Sequence, residues 1–117
     1  MSAFNETQPI FVQIRERIAA MILTEAAREG EALPSVRAIA ADLSVNPLTV
    51  TRAYDALVEI GAVESRRGMG MFVALGGRRR LMDHERQKFL AEEWPRLRTR
   101  IAALGLDAET LLKEPQT

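Results

Sequence analysis

The chain has 117 residues, no cysteine, and equal numbers of basic and acidic residues, 16 of each. This composition excludes disulfides and thiolate metal sites, and the length predicts one domain or a small domain with an appendage. The longest apolar run, Ile18 to Leu23, is too short to cross a bilayer and no signal segment opens the chain, so we expect a cytoplasmic protein without membrane contact. Because the net charge is zero, any nucleic-acid function depends on where the arginines lie.

The first predicted element is an amphipathic helix from about Ile10 to Ala27. Its apolar residues recur at steps of three and four: Ile10, Ile14, Ile18, Met21 and Ile22. Gly30 and Pro34 then end the helix and open a short extended link, in which Leu33 points inward.

Two further helices follow, joined by a tight turn at Ser44 and Val45. Ser35 is expected to cap a helix over residues 36–43. Asn46 is a strong N-cap with Pro47 at the first helical position, and that helix runs to about Ile60. Such a pair is typical of a helix-turn-helix, and also of ordinary helix packing.

A β-hairpin is predicted next, with residues 63–66 and 71–74 flanking a tip of Gly68, Met69 and Gly70. Three helices followed by a hairpin form a winged helix-turn-helix, so the predicted fold class is mainly α with a small hairpin. The pair Gly76 and Gly77 resembles a linker. We therefore predict a DNA-binding domain over residues 1–76 and a helical domain for dimerisation and any effector over residues 77–117.

The tail carries a single apolar seam, which alternates in steps of four and three. Its residues are Leu90, Trp94, Leu97, Ile101 and Leu104. Pro95 lies inside the seam and should kink or break the helix. Asp107 caps a last short helix to about Lys113. Because one short helix cannot bury such a stripe alone, we expect a homodimer held by this seam.

The predicted site lies on the second helix of the pair, on the first turn of the helix before it, and at the hairpin tip. With Val50, Ala53, Tyr54 and Leu57 inward, the outward residues are Asn46, Leu48, Thr49, Thr51 and Arg52. Arg37, Arg66 and Arg67 add positive charge toward the same side. These groups can contact base edges and phosphates in double-stranded DNA. The alternatives are solvated surface arginines, and a winged-helix module for protein interaction with incidental DNA affinity.

Three motifs in order, "LPSVR", "VNP-TV-RAY" and "GxGxFV", resemble the DNA-binding domain of the GntR family of bacterial regulators over residues 9–75. The short helical remainder is similar to the YtrA-like subfamily. The resemblance implies a dimeric regulator, expected to be a repressor of an inverted-repeat operator. It also implies DNA contacts at Arg37, Asn46, Thr49, Thr51, Arg52, Arg67 and Gly68, with the Gly68 backbone near the minor groove. Pro47, Leu48 and Thr24 depart from residues common in the family.

No constellation of catalytic residues or cofactor motif is found, so we expect neither an enzyme nor a bound cofactor. His84 is the sole histidine and its sequence neighbours cannot converge on a metal ion, so we interpret it as solvated. The run Arg78 to Arg80 either contacts DNA flanks or solvates a helix start. A small-molecule effector is left open, and the operator and the regulated genes are not encoded in these patterns.

Overall fold

The computed structural model describes residues 7–113, and it confirms a mainly helical fold with one antiparallel hairpin. In chain order the elements are α1 (Ile10–Leu23), α2 (Val36–Leu43), α3 (Pro47–Ile60), β1 (Val63–Arg66), β2 (Gly70–Val73), α4 (Gly77–Lys88), a short π-helix (Phe89–Glu93), α5 (Trp94–Ala103) and α6 (Ala108–Lys113). None of the helices within residues 7–113 is long and apolar enough to cross a membrane.

The chain divides into two compact units between Asp83 and His84, inside α4. The buried side chains of the first unit come from all of its elements and form one core, whose largest fully buried members are Tyr54, Ile14, Ile18, Ile22, Leu57, Leu81, Val50 and Val73. The predicted assignment of separate functions to residues 1–76 and 77–117 stays a prediction.

Helix α1 ends at Leu23, earlier than the predicted Ala27. Thr24 caps it with a backbone bond to the Ala20 carbonyl and a second from its own hydroxyl at 2.7 Å. Glu25 follows with a φ of 62°. The Ala27 backbone N–H then bonds to the Met21 carbonyl at 3.0 Å, which closes the helix end while Ala27 stays buried. The apolar spacing extended past the helix because Ala27 belongs to the core without being helical.

The first strand of the hairpin matches the prediction, and the second is shifted by one residue, because Gly70 pairs with Arg66 instead of belonging to the tip. Val63 pairs with Val73 at the other end. The extended link after α1 forms a third, short pairing on the outer edge of β2. The Leu33 N–H donates to the Met71 carbonyl at 2.8 Å, and the Gly30 N–H donates to the Val73 carbonyl at 2.8 Å. This pairing fixes the hairpin to the segment that leads into α2.

The predicted linker is the start of α4 and belongs to the first unit. A Cβ on Gly77 would lie 2.4 Å from the Ala62 carbonyl oxygen, so glycine permits a close approach of two backbones there. One turn later, Leu81 is 0% exposed within the core. The linker interpretation was therefore wrong for Gly77, because the buried Leu81 secures the helix start to the first unit.

In the second unit, the regular α-helix is interrupted before Pro95, as the sequence predicted. The Trp94 N–H bonds to the Phe89 carbonyl five residues back, and a new α-helix begins at Trp94. Pro95 has no backbone N–H, and its ring crowds the preceding helical turn. The short π-helix before it, with its wider hydrogen-bond spacing, accommodates both effects. The Asp107 cap of α6 is confirmed, since its carboxylate accepts from the Thr110 N–H at 3.1 Å.

Candidate nucleic-acid interface

Each helix of the α2–α3 pair begins at a side-chain cap that the sequence predicted. Ser35 accepts from the Ala38 N–H at 3.0 Å at the start of α2, and Asn46 accepts from the Leu48 N–H at 2.8 Å at the start of α3. Because the side-chain oxygen of Asn46 (Oδ1) is used for the cap, the side-chain NH₂ is the group that remains for a ligand. The first function of Asn46 in this structure is therefore to define where α3 begins.

The exposed face of α3 changes character along its length. At its beginning lie Leu48, which is 71% exposed, and Arg52, one turn later. Further along the same face lie Asp55 and Glu59, both exposed. An anionic ligand would therefore approach the first two turns, where the helix dipole is also favourable.

Both threonines of the predicted site are half-buried, at the sides of that face. The Thr51 hydroxyl donates to the Pro47 carbonyl at 3.1 Å, one turn back, which partly occupies it within the helix. Thr49 lies on the opposite side of the exposed face from Thr51, and Arg52 follows it three residues later, so the two are neighbours on the helix surface. Thr49 and Thr51 therefore flank the exposed residues Leu48 and Arg52 from opposite sides.

Arg52 has a partner that sequence reasoning missed. Its guanidinium carbon lies 4.1 Å from the centroid of the Phe11 ring, in the first turn of α1. No short-range motif links these residues, because the contact depends on how α1 packs against α3.

The two arginines near the wing tip differ in their surroundings. Arg66 stacks on Phe72 at 4.0 Å and donates through Nε to the Glu64 carboxylate at 2.8 Å, with Nη2 2.7 Å from the same oxygen. Its charge is therefore balanced within the hairpin. Arg67 is exposed at the tip, beside Gly68. Arg66 stays a predicted DNA contact, and the structure shows that Glu64 competes with any phosphate for it.

Gly68 has a structural reason to be glycine. The Met69 N–H bonds to the Arg66 carbonyl at 2.9 Å across a β-turn, and Gly68 adopts a φ of 74° in it. Its missing Cβ would meet nothing within 4 Å, so the backbone at the tip is open on that side.

Arg37 is exposed in the first turn of α2, whose start is tied to α3 by Tyr54. The Tyr54 hydroxyl donates to the Pro34 carbonyl, just before the α2 cap. Burial raises the pKa of Tyr54 to about 12, so the phenol is neutral and can donate this bond at ordinary pH. The sequence placed Tyr54 in the apolar stripe but did not predict its polar contact.

The basic run after the wing makes contacts inside the first unit. Arg78 donates twice to the Leu23 carbonyl at the end of α1, at 3.1 and 3.0 Å. Arg80 donates to the Gly61 carbonyl at 2.9 Å and the Leu75 carbonyl at 2.6 Å, and Arg79 lies 3.8 Å from Asp83. Arg78 and Arg80 therefore satisfy backbone carbonyls at a helix end and beside the hairpin. This structural function differs from both sequence-based alternatives, contact with DNA flanks and a solvated helix start.

The predicted dimer seam is largely exposed in the second unit. Leu90, Leu97 and Leu104 are 63%, 48% and 56% exposed, and Trp94 and Ile101 are half-buried. An apolar groove of about 370 Å³ runs between α5 and α6, lined in part by Trp94 and Leu111. Within residues 7–113, no three His, Asp or Glu side chains converge to hold a metal ion.

Comparison with known proteins gives one consistent result. Residues 11–73 match the family described as bacterial regulatory proteins, gntR family. In Bacillus subtilis (strain 168), the HTH-type transcriptional regulator YhcF is 32% identical over 114 residues, with 97% of this chain and 93% of YhcF covered. The HTH-type transcriptional repressor YtrA of the same organism is 32% identical over 79 residues, with 68% of this chain and 61% of YtrA covered.

Solved structures agree with the sequence relatives. A GntR family transcriptional regulator from Listeria monocytogenes superposes with a TM-score of 0.75 at 28% identity, covering 93% of this chain and 94% of that one. The DNA-binding domain of AraR, solved in complex with operator ORX1, superposes with a TM-score of 0.57 at 25% identity, covering 63% of this chain and 90% of that domain.

Proposed function

Because the chain belongs to the GntR family of bacterial regulatory proteins, and within it to the YtrA-like subfamily, it is a DNA-binding transcription regulator rather than an enzyme, and we propose that it is a dimeric repressor of an inverted-repeat operator. The observation that carries the proposal is the exposed, carboxylate-free first half of α3. YtrA of Bacillus subtilis is a transcriptional repressor, and the DNA-binding domain of AraR is solved in complex with an operator.

In this proposal α3 enters the major groove by its N-terminal end. Leu48 contacts a thymine methyl group, Thr49 bonds a base edge or a phosphate, and Arg52 donates to guanine or phosphate oxygens. Arg37 binds a phosphate from the start of α2. Asn46 and Thr51 contribute more to helix geometry than to base reading, given the bonds they already make.

The hairpin is the wing, with Arg67 and the Gly68 backbone against the minor groove. The open space at the Gly68 Cβ position supports a close approach to DNA. Replacement by asparagine separates this function from turn geometry, because asparagine tolerates a positive φ. Gly68→Asn should lower DNA affinity several-fold with a small change in melting temperature. A stability loss without a DNA effect would leave the glycine purely structural.

The second unit supplies the proposed two-fold interface. In the seam of Leu90, Trp94, Leu97, Ile101 and Leu104, the three leucines are exposed and the other two side chains are half-buried. In an isologous dimer the same stripe would meet its copy, with Trp94 as an aromatic anchor. Such a dimer presents two α3 helices to half-sites about 34–36 Å apart, or a multiple of that distance.

A selection from random duplex DNA, followed by mobility shifts at several salt concentrations, tests the proposal. Arg37→Ala and Arg52→Ala should each weaken binding and reduce the log–log salt slope by about 1. Arg28→Ala is the matched control, since Arg28 is exposed on the link after α1 and should leave the slope unchanged. Failure to select any sequence would favour the protein-interaction alternative.

Effector and location stay predictions of this proposal. A DNA-binding regulator acts where the chromosome is, which fits the expected cytoplasmic location. No small molecule is assigned, and an effector would have to change the dimer or the wing to change operator affinity.

A further inference from the structure

We propose that Phe11 is a positioning residue for DNA binding, whose ring holds the Arg52 guanidinium at the start of α3 with its donor groups available to acceptor oxygens on DNA. The inference rests on the proposed function, because it requires Arg52 to contact DNA. It adds a residue outside the helix-turn-helix, on α1, to the determinants of affinity.

The contact with Phe11 leaves the donor groups of Arg52 without a competing acceptor. The Arg52 guanidinium carbon lies over the Phe11 ring, 4.1 Å from its centroid, within the range of a cation–π contact. Phe11 supplies no oxygen or nitrogen acceptor, so the five N–H groups of the guanidinium are not satisfied by this contact. Within residues 7–113 no acidic side chain forms an ion pair with Arg52.

Phe11 is well placed to act as a fixed platform. It is half-buried in the first turn of α1, and α1 packs against α3. An exposed arginine on a helix loses side-chain freedom when it binds a ligand. Because the ring already restricts Arg52 before DNA arrives, part of that entropy loss is incurred during folding.

The second stacked arginine shows what the alternative looks like. Arg66 lies 4.0 Å over Phe72, but Glu64 accepts from its Nε and lies beside its Nη2. In the hairpin, the charge of the arginine over the ring is therefore neutralised by Glu64. Arg52, on α3, lies over its ring in the same way, but no carboxylate of the described residues balances its charge.

A double-mutant cycle on the full chain tests the inference, with a duplex selected by the unmodified protein as the probe. Phe11→Leu should weaken binding about threefold to tenfold, in the range expected of a partly exposed cation–π contact. In the Arg52→Ala background Phe11→Leu should have almost no further effect. Phe11→Tyr keeps the ring and should bind within about twofold of the unmodified chain.

The outcomes separate this inference from the proposed function. If Arg52→Ala weakens binding but Phe11→Leu does not, the positioning function is wrong and the α3 assignment stands. If Phe11→Leu weakens binding equally in both backgrounds, Phe11 acts through folding or its own DNA contact, and the inference fails. If Arg52→Ala binds like the unmodified chain, Arg52 is not a DNA contact and both fail at this residue.

A measurement on the unbound protein checks the geometry without DNA. The ring current of Phe11 should shift the Arg52 side-chain protons upfield in the NMR spectrum, and Phe11→Leu should abolish the shift while Phe11→Tyr retains it. Unshifted Arg52 resonances in the unmodified protein would overturn the stacked arrangement.

Discussion

The two units of the molecule treat their apolar side chains in opposite ways. In the described part of the chain, every buried apolar side chain lies within residues 7–83, including the fully buried Ile22, Val50 and Leu81. Within residues 84–113 no side chain is buried, and large apolar groups such as Leu90 and Leu112 are exposed. The first unit therefore has a core of its own, and the second buries none of its side chains within a single chain.

This difference has an energetic meaning. Burying one leucine side chain contributes roughly 1.5–3 kcal/mol, and the second unit gains little of this as a single chain. Association of two copies would bury the seam twice. We therefore expect the stability of the first unit and the assembly of the second to be separable, and each prediction below tests this.

The largest effect is expected from truncation after Asp83. The shortened chain keeps Leu81 and the Arg78 and Arg80 contacts, so it should fold cooperatively and be monomeric. Its affinity for an inverted-repeat duplex should fall about a hundredfold or more, because the two half-sites are no longer bound by one linked molecule. Light scattering and mobility shifts measure the two quantities.

The position of the cut provides a sharp control. A chain ending at Gly77 lacks Leu81, whose loss should destabilise the first unit by about 2–5 kcal/mol. A dimeric chain ending at Asp83 would contradict the comparison, since the second unit would then not be the interface.

A single substitution in the seam is expected to act next most strongly. Leu97→Asp would place a carboxylate inside the proposed interface, where its burial is unfavourable, so the dimer should dissociate at micromolar concentration. Thr99→Asp is the control, because Thr99 is exposed on the other side of α5. The first unit should melt at the same temperature in both variants at matched concentration. Equal dimerisation in the two variants would place the interface elsewhere.

Sequence reasoning located the elements well because their signals are local. The caps at Ser35 and Asn46, the strands of the hairpin and the interruption before Pro95 all depend on neighbouring residues. The bounds of α2 and α3 followed from these caps. The face of α3 followed from helical spacing alone.

The misses concern contacts between distant residues. The adjacent glycines Gly76 and Gly77 resemble a linker in sequence, while the need for glycine at position 77 comes from the Ala62 carbonyl. The contacts of Arg78 with Leu23 and of Arg52 with Phe11 join segments far apart in sequence. Nothing in their local spacing could have predicted them.

The buried phenol provides a pH test that affects the first unit only. The pKa of Tyr54 is raised to about 12 in the folded state, against about 10 in an unfolded chain. The folded state therefore retains a proton that the unfolded state loses, and stability falls as pH rises from about 10 toward 12, with a maximum slope of about 1 kcal/mol per pH unit. Denaturant unfolding of the 1–83 fragment across this range measures the slope.

Tyr54→Phe isolates that contribution. The variant should lose about 1–2 kcal/mol at neutral pH, because the Pro34 carbonyl loses its donor. Above pH 10 it should lose less stability per pH unit than the unmodified fragment. Parallel slopes in the two proteins would show that Tyr54 ionises equally in both states.

The smallest effect is expected at the end of α1, where Glu25 adopts a φ of 62°. A side chain in this left-handed conformation costs roughly 1 kcal/mol, and glycine avoids it. The 3.9 Å contact of Glu25 with Arg78 is between exposed groups and contributes little. Glu25→Gly should therefore stabilise the first unit by about 0.5 kcal/mol and leave dimer dissociation unchanged. Glu29→Gly, at an exposed position without a positive φ, should instead destabilise it, because glycine increases the freedom of the unfolded chain. If both changes destabilise equally, Glu25 is not strained and its contact with Arg78 matters more than its exposure indicates.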